Sequence, residues 1–229
     1  MKKRVIVISL GGSLIIPNEA DVVFLKKFRE VIKNNTEKYK FVIVCGGGSI
    51  ARKYINALRE IGVNEKLQSM SGISATRMNA RFMTYFFGED AGQGIPHDMK
   101  KVRNMLLRNN IVFCGALRYE PKQTSDATAA KLANYFKTEF INLTNVQGLH
   151  DKNPKKFKNA KFIPFILWKD FDRMANKEEY KPGQHFVLDQ TASKIILKNK
   201  ITTYILGKDL RQLNSLLKNR KFTGTVIKG

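Results

Sequence analysis

"VIVCGGGSIARKYI", residues 42–55, sets four apolar residues before three consecutive glycines and a stretch with a helical look after them. A buried run, a glycine turn and an amphipathic period read as strand, turn and helix. Each glycine costs backbone entropy on folding. Gly46, Gly47 and Gly48 together let the backbone turn sharply and leave its N–H groups uncovered. An oxygen-rich ligand such as a phosphate can then approach them closely. A tight strand-to-helix turn with no ligand is the plainer reading, and this loop alone leaves both open.

The same alternation recurs on either side. "RVIVISL" (4–10) is a buried strand running into another glycine turn, "GGS" (11–13). Past Asp21, the residues Val22, Leu25, Phe28 and Val31 recur every three, as on a helix. "KFVIVC" (40–45) is the strand of the opening stretch. In the helix after it Ser49 is the cap, Ile50, Tyr54, Leu58 and Ile61 form the apolar face, and Gly62 is the stop. Residues 72–87 and 98–108 read as helices, "IVFCG" (111–115) as a strand, and "SDATAAKLANYF" (125–136) as a helix. "EFINLTN" (139–145) is the next strand, and 151–185, rich in Lys, Phe and Asn, reads as a peripheral flap. A helix (189–199), a strand (202–207), a helix (209–219) and a strand (224–227) complete the series. This order predicts an α/β fold, a three-layer αβα sandwich on a largely parallel sheet, in one domain over 1–229.

The chain of 229 residues is 43% hydrophobic, enough for a substantial core. Its 41 basic and 19 acidic residues leave a net charge of +22, which raises nucleic acid as a partner. The lysines are nevertheless spread along the length, with only modest clusters at 155–162 and 217–222. No zinc-ligand spacing or RNA-binding signature accompanies them, so nucleic acid is disfavoured and no residue is assigned to a metal. Cys45 and Cys114 each end an apolar run, the pattern of buried thiols in a reducing compartment. "MKKRVIVISLGGSLIIP" imitates a signal peptide, but Ser9, Gly11, Gly12 and Ser13 break its apolar run and no cleavage site follows. No run reaches the roughly 20 apolar residues of a membrane span. The expectation is a cytoplasmic protein without a membrane segment.

Ligands of such sheets bind beyond the carboxyl ends of the strands. There the predicted strands end in Gly11–Ser13, Gly46–Gly48, the stretch from 115 to the Thr124-Ser125-Asp126 helix start, and Thr144-Asn145. Two glycine turns facing a polar helix start imply a cleft for several phosphates. No stretch supplies the G-x-x-x-x-G-K-[ST] of a P-loop. Gly46-x-Gly48-x-x-Ala51 fits a dinucleotide fingerprint, but Glu65, at the distance of its acidic partner, has no strand before it.

"ISLGGS" (8–13), "GGGSIARKYI" (46–55), "GISATRMNA" (72–80), "TSDATAAKLA" (124–133), "LTNVQGLHDKNP" (143–154) and "GQHFVLDQTASKII" (183–196) follow in order the motifs of the amino acid kinase superfamily. Over essentially the whole chain the sequence resembles the archaeal-type uridylate kinases. The resemblance implies ATP with Mg2+ as donor, UMP as acceptor, and assembly into a hexamer. It further implies an acceptor side in about 1–125 and an ATP side in about 126–229. Position by position, Gly11, Gly12 and Ser13 would hold ATP phosphates, with Gly48 and Arg52 near the donor and Gly47 facing the acceptor phosphate. Thr124 and Ser125 would bind the UMP side, and Thr144, Asn145 and the stretch His150 to Asn153 would border the adenosine. Asp189 matches the aspartate that organises the active site, with Asp126 close by.

Several matched positions depart from the pattern. Ser9 stands where many superfamily members place a phosphate-contacting lysine, which archaeal-type uridylate kinases can lack. Ser69 replaces an aspartate that grips the UMP ribose, Gln147 the aspartate of "TNVDG", His150 a tyrosine and Asn153 the aspartate of "DP". Residues 116–123 form a longer loop carrying Arg118, Glu120 and Lys122. "GGGSIARKYI" lacks the acceptor-pocket histidine of isopentenyl phosphate kinases. A different acceptor, or a nucleotide-binding protein without turnover, therefore remains an alternative beside UMP phosphorylation, and a basic nucleic-acid-binding module is a third.

Overall fold

The computed structural model describes residues 3–121, 123–154, 156–177 and 188–229. Its strands in chain order are β1 (Arg4–Leu10), β2 (Tyr39–Cys45), β3 (Ile111–Cys114), β4 (Phe140–Leu143), β5 (Leu149–His150), β6 (Phe162–Ile163), β7 (Phe165–Ile166), β8 (Thr203–Leu206) and β9 (Thr225–Ile227). The helices are α1 (Gly12–Ile15), α2 (Val22–Lys33), α3 (Gly48–Glu60), α4 (Glu65–Phe87), α5 (Met99–Arg108), α6 (Ser125–Phe136), α7 (Trp168–Ala175), α8 (Gln190–Asn199) and α9 (Leu210–Leu217).

Among the described residues one sheet runs β3-β2-β1-β4-β8-β9-β7, and β5 and β6 make a separate antiparallel pair. All neighbours in the large sheet are parallel except β8 and β9. Strand β1 is the pivot: β2 and β3 follow on one side of it, and the chain crosses back to lay β4 on the other. That reversal is the topological switch point at which open α/β sheets bind ligands.

Side chains alternate across a strand, so each apolar run feeds two cores. Ile6, Ile8, Leu10, Phe41, Ile43 and Phe113 pack beneath α2, α4 and α9, where Phe28, Phe87 and Leu213 meet them. Val7, Val42, Val44, Val112 and Phe140 face Ala127 and Ala130 of α6, Ile196 of α8 and Phe171 of α7. Ser9 shares this second face, which turns a hydroxyl rather than a methyl group toward α6. The two cysteines are free and buried. Burial raises both thiols, Cys114 to about 12, so neither is a nucleophile at neutral pH.

Four local expectations are corrected. Helix α4 begins at Glu65, not residue 72, because the Asn64 side chain caps it by accepting from the Leu67 N–H. Ser49 does not cap α3: it lies inside the helix and its hydroxyl donates to the Ile16 carbonyl at 3.0 Å. The buried face of α3 is Ala51 and Ile55 rather than the line through Tyr54 and Ile61, which are 54% and 76% exposed. Small residues win there because α3 packs closely on α4, with Gly72 opposite Ile55. Finally, 151–185 is not a flap throughout. Strand β7 pairs with β9 at the sheet edge and α7 packs on the α8 side, where the Trp168 ring N–H donates to the Ile201 carbonyl. Residues 178–185 of that stretch lie outside the described residues.

Candidate active site

A cleft of about 270 Å3 opens at the switch point, at the carboxyl ends of β1, β2, β3 and β4. The turns after β1 and β2 form its centre and are built against each other. Gly46 donates its N–H to the Leu10 carbonyl at 2.9 Å, and Gly11 donates to the Leu143 carbonyl at 3.0 Å. A Cβ on Gly12 would lie 2.1 Å from the Gly48 nitrogen and 2.6 Å from the Gly46 carbonyl oxygen. Gly48 itself sits at φ +62°, which L side chains rarely adopt. Contact between the turns therefore requires these glycines before any ligand is considered.

That packing leaves the start of α3 open. Gly47 is its N-cap and has no side chain to accept from the first turn. Its orphan N–H groups and the helix dipole make this end an anion site. One turn on, Arg52 lines the same cleft. Among the described residues it is the only cationic side chain of the lining, and it makes no hydrogen bond or ion pair there. An unpaired guanidinium beside a glycine-capped helix start suits phosphate oxygens.

The opposite wall is acidic. Asp189 caps α8, its Oδ1 accepting from the N–H groups of Thr191 and Ala192 at 2.8 and 2.9 Å. Its Oδ2 accepts from the Thr124 hydroxyl, and the Ala127 N–H also acts on it. One carboxylate thus ties the starts of α6 and α8 together. Burial raises its pKa, and these donors oppose the rise. Asp126 accepts from the Ser9 hydroxyl at 2.6 Å. Burial, and secondarily the charge of Asp189, push its pKa up to about 7.

Of the residues singled out from sequence, Gly11, Gly12, Ser13, Gly47, Gly48, Arg52, Ser69, Thr124, Ser125, Asp126, Thr144, Asn145 and Asp189 converge on this one cleft. Three do not. Ser9 lies beneath the floor, 1% exposed, with its hydroxyl committed to Asp126. His150 lies on the β5–β6 hairpin, where its ring meets Phe162 at 5.6 Å, and Asn153 follows that hairpin strand outside the lining. Sequence reading missed Thr76, Gln123 and Asn142, which also line the cleft. Thr76 sits inside "GISATRMNA" and was findable. Asn142 hides within an apolar strand run, where nothing local marks it.

A family model described as "Amino acid kinase family" matches residues 4–207. The chain belongs to the amino acid kinase family. Among curated members, a uridylate kinase of Thermococcus kodakarensis is 36% identical over 97% of this chain and 98% of that protein. One from Methanobrevibacter smithii is 32% identical over the same shares of both. The crystal structure of uridylate kinase from Archaeoglobus fulgidus superposes with a TM-score of 0.83 at 31% identity, covering 97% of this chain and 99% of that one. UMP kinase from Ureaplasma parvum, at 21% identity, shares the fold with a TM-score of 0.80 over both whole chains. The amino acid kinase fold accounts for the strand order and for the cleft at the switch point. Among the described residues no helix is long and apolar enough to cross a membrane.

Proposed function

We propose that this chain transfers the terminal phosphoryl group of ATP to UMP, giving UDP and ADP. The carrying observation is Arg52, unpaired among the described residues, beside the glycine-capped start of α3, in a cleft built from two glycine turns. Full-length similarity to proteins named uridylate kinase supports UMP as the acceptor.

In this reading an oxygen of the UMP phosphate attacks the γ-phosphorus in line, and the bond to the β,γ-bridging oxygen breaks. Such transfer needs positioning and charge neutralisation more than covalent help. Gly11, Gly12 and Ser13 hold the donor phosphates, with Gly48 and Arg52 beside them, and Gly47 faces the acceptor phosphate. Thr124, Ser125 and Ser69 bind the UMP side. Thr144 and Asn145 border the adenosine, and the hairpin carrying His150 and Asn153 extends that border. Asp189 fixes two helix starts at the floor. The acceptor side belongs to about 1–125 and the ATP side to about 126–229.

Among the described residues no group of three metal-ligating side chains forms a cage. One or two carboxylates completed by substrate phosphates is a usual Mg2+ arrangement, and Asp126 and Asp189 are oxygen donors of that kind. Mg2+ bound with ATP would neutralise charge on the phosphates. The chain works in the cytoplasm, with its two thiols reduced. It assembles with copies of itself into a hexamer, which would cover the exposed Leu67, Met70, Met78 and Tyr85 of α4.

One observation favours a second reading, another phosphorylated acceptor. On the α3–α4 wall of the cleft the described residues include no carboxylate, and Ser69 stands where a diol-gripping aspartate belongs. ADP release against a panel of phosphorylated and carboxylated acceptors separates the two readings. With UMP as acceptor, Ser69→Asp lowers the UMP KM roughly tenfold with little change for ATP, because charge-assisted hydrogen bonds to a diol are stronger. UMP inert with both versions, while another acceptor turns over, selects the second reading.

A further inference from the structure

One turn of α4 holds the ends of two strands at once. The Asn79 side chain, fully buried, donates from Nδ2 to the Gly46 carbonyl at 2.7 Å. Thr76 Oγ1 accepts from the Ala116 N–H at 2.9 Å. Arg77 donates from Nε to the Ala116 carbonyl at 3.1 Å and from Nη2 to the Leu117 carbonyl at 2.6 Å. Gly115 lets this happen, since a Cβ there would lie 2.5 Å from Thr76 Oγ1. The turn after β2 and the loop after β3 are thus both fastened to residues 76–79. Through the Gly12 contact, the turn after β1 is carried along.

Two features of this turn are costly as mere scaffolding. Asn79 Oδ1 is buried with no hydrogen-bond partner among the described residues. Arg77, half-buried, faces two carbonyls, and no carboxylate pairs with it among the described residues; burial lowers its pKa. An apolar pair would fill the same space without an orphaned acceptor or a desolvated cation. Features that cost stability persist where they serve a site.

We infer that Arg77 and Asn79 are positioning residues for phosphoryl transfer, setting the separation between the glycine turn after β2 and the loop after β3. They touch neither nucleotide. They act through Gly46, Ala116 and Leu117, which fixes how closely the acceptor phosphate meets the donor. The inference rests on the phosphoryl-transfer reading, and small misplacements are costly in such a reaction.

Arg77→Met and Asn79→Leu test it in the full-length chain, with Arg77→Lys as the conservative control. Expected for Arg77→Met and Asn79→Leu is a fall in kcat per folded molecule of at least tenfold, with the KM values for ATP and UMP within about threefold. Arg77→Lys recovers part of the loss. Hydrogen exchange gives a second readout: amides of 115–117 exchange at least tenfold faster in Arg77→Met, while those of β1 and β4 do not change. A wild-type chain that leaves UMP untouched sinks the UMP reading alone, and the same kcat and KM comparison is then made with the phosphorylated acceptor that releases ADP. Should Asn79→Leu fail to fold, Arg77→Met carries the test. Unchanged kcat per folded molecule in a variant that merely melts lower, or unchanged exchange at 115–117, overturns the inference.

Discussion

Among the described residues Arg52 has no partner in the cleft, whereas Asp126 and Asp189 have theirs already engaged. The difference reaches back to the sequence. Asp189 was legible because an acidic residue before an apolar period is a helix cap, and the structure gives it that cap together with a second duty toward Thr124. Ser9 was legible only as a mismatch. That its hydroxyl points down to Asp126 depends on strand parity and on α6 lying beneath, neither of which nearby residues reveal. Asp126 also makes stability depend on pH. Its folded pKa, about 7, stands above the ordinary 3.8, so the fold prefers the protonated acid. Its contribution is complete below the ordinary value and is lost as pH rises through about 7. Asp126→Asn, which keeps an acceptor for Ser9, should lie within about 1 kcal/mol of wild-type stability near pH 4 and exceed it at pH 8 by on the order of 4 kcal/mol. Urea unfolding of the nucleotide-free, chelator-treated proteins at both pH values checks this. A variant less stable than wild type at pH 8 would show that the carboxylate is held ionised.

At the scale of elements, the glycine turns after β1 and β2 behave as one piece. Gly12→Ala drives a Cβ into the backbone of the neighbouring turn and should cost about 3 kcal/mol, roughly 6–12 °C in Tm for a chain of this size. Gly62→Ala is the control: its φ of +73° is strained for alanine but nothing lies within 4 Å, so about 1 kcal/mol is expected and ATP binding should be untouched. Equal losses in the two variants, read by thermal unfolding, would refute the interlocked packing. The strand-turn-helix units were legible because buried strands are continuous apolar runs and glycine marks their ends. Helix α7 was not, since its buried side is narrow, with Phe171 and Ala175 among one lysine, one arginine and two aspartates. The early start of α4 was missed because Gln68 and Gly72, buried there, do not look like a core face.

For the whole molecule, α/β alternation made the layers legible, but the order of strands was not, since nothing local says that β4 returns to the far side of β1. Similarly, the net charge of +22 belongs to the surface at large, and only Arg52 of the described basic residues lines the cleft. The central position of β1 has a consequence in time. Its pairing with β2 closes over a few dozen residues, whereas Val7 meets Phe140 about 130 residues later, a separation that costs more loop entropy and slows pairing. At ~5–20 residues per second, about 7–25 s of synthesis pass between the two strands. Through that interval one edge of β1 presents unpaired backbone groups on an apolar strand, the usual invitation to wrong pairing. In refolding followed by pulsed hydrogen exchange, the β1 amides facing β4 should gain protection after those facing β2. Simultaneous protection on both edges would mean that the central strand is never left open. The two glycine turns thus wait on residues made far later: a nascent chain holds a half-built cleft until β4 brings Thr144 and Asn145 and, later still, Asp189 joins it at the start of α8.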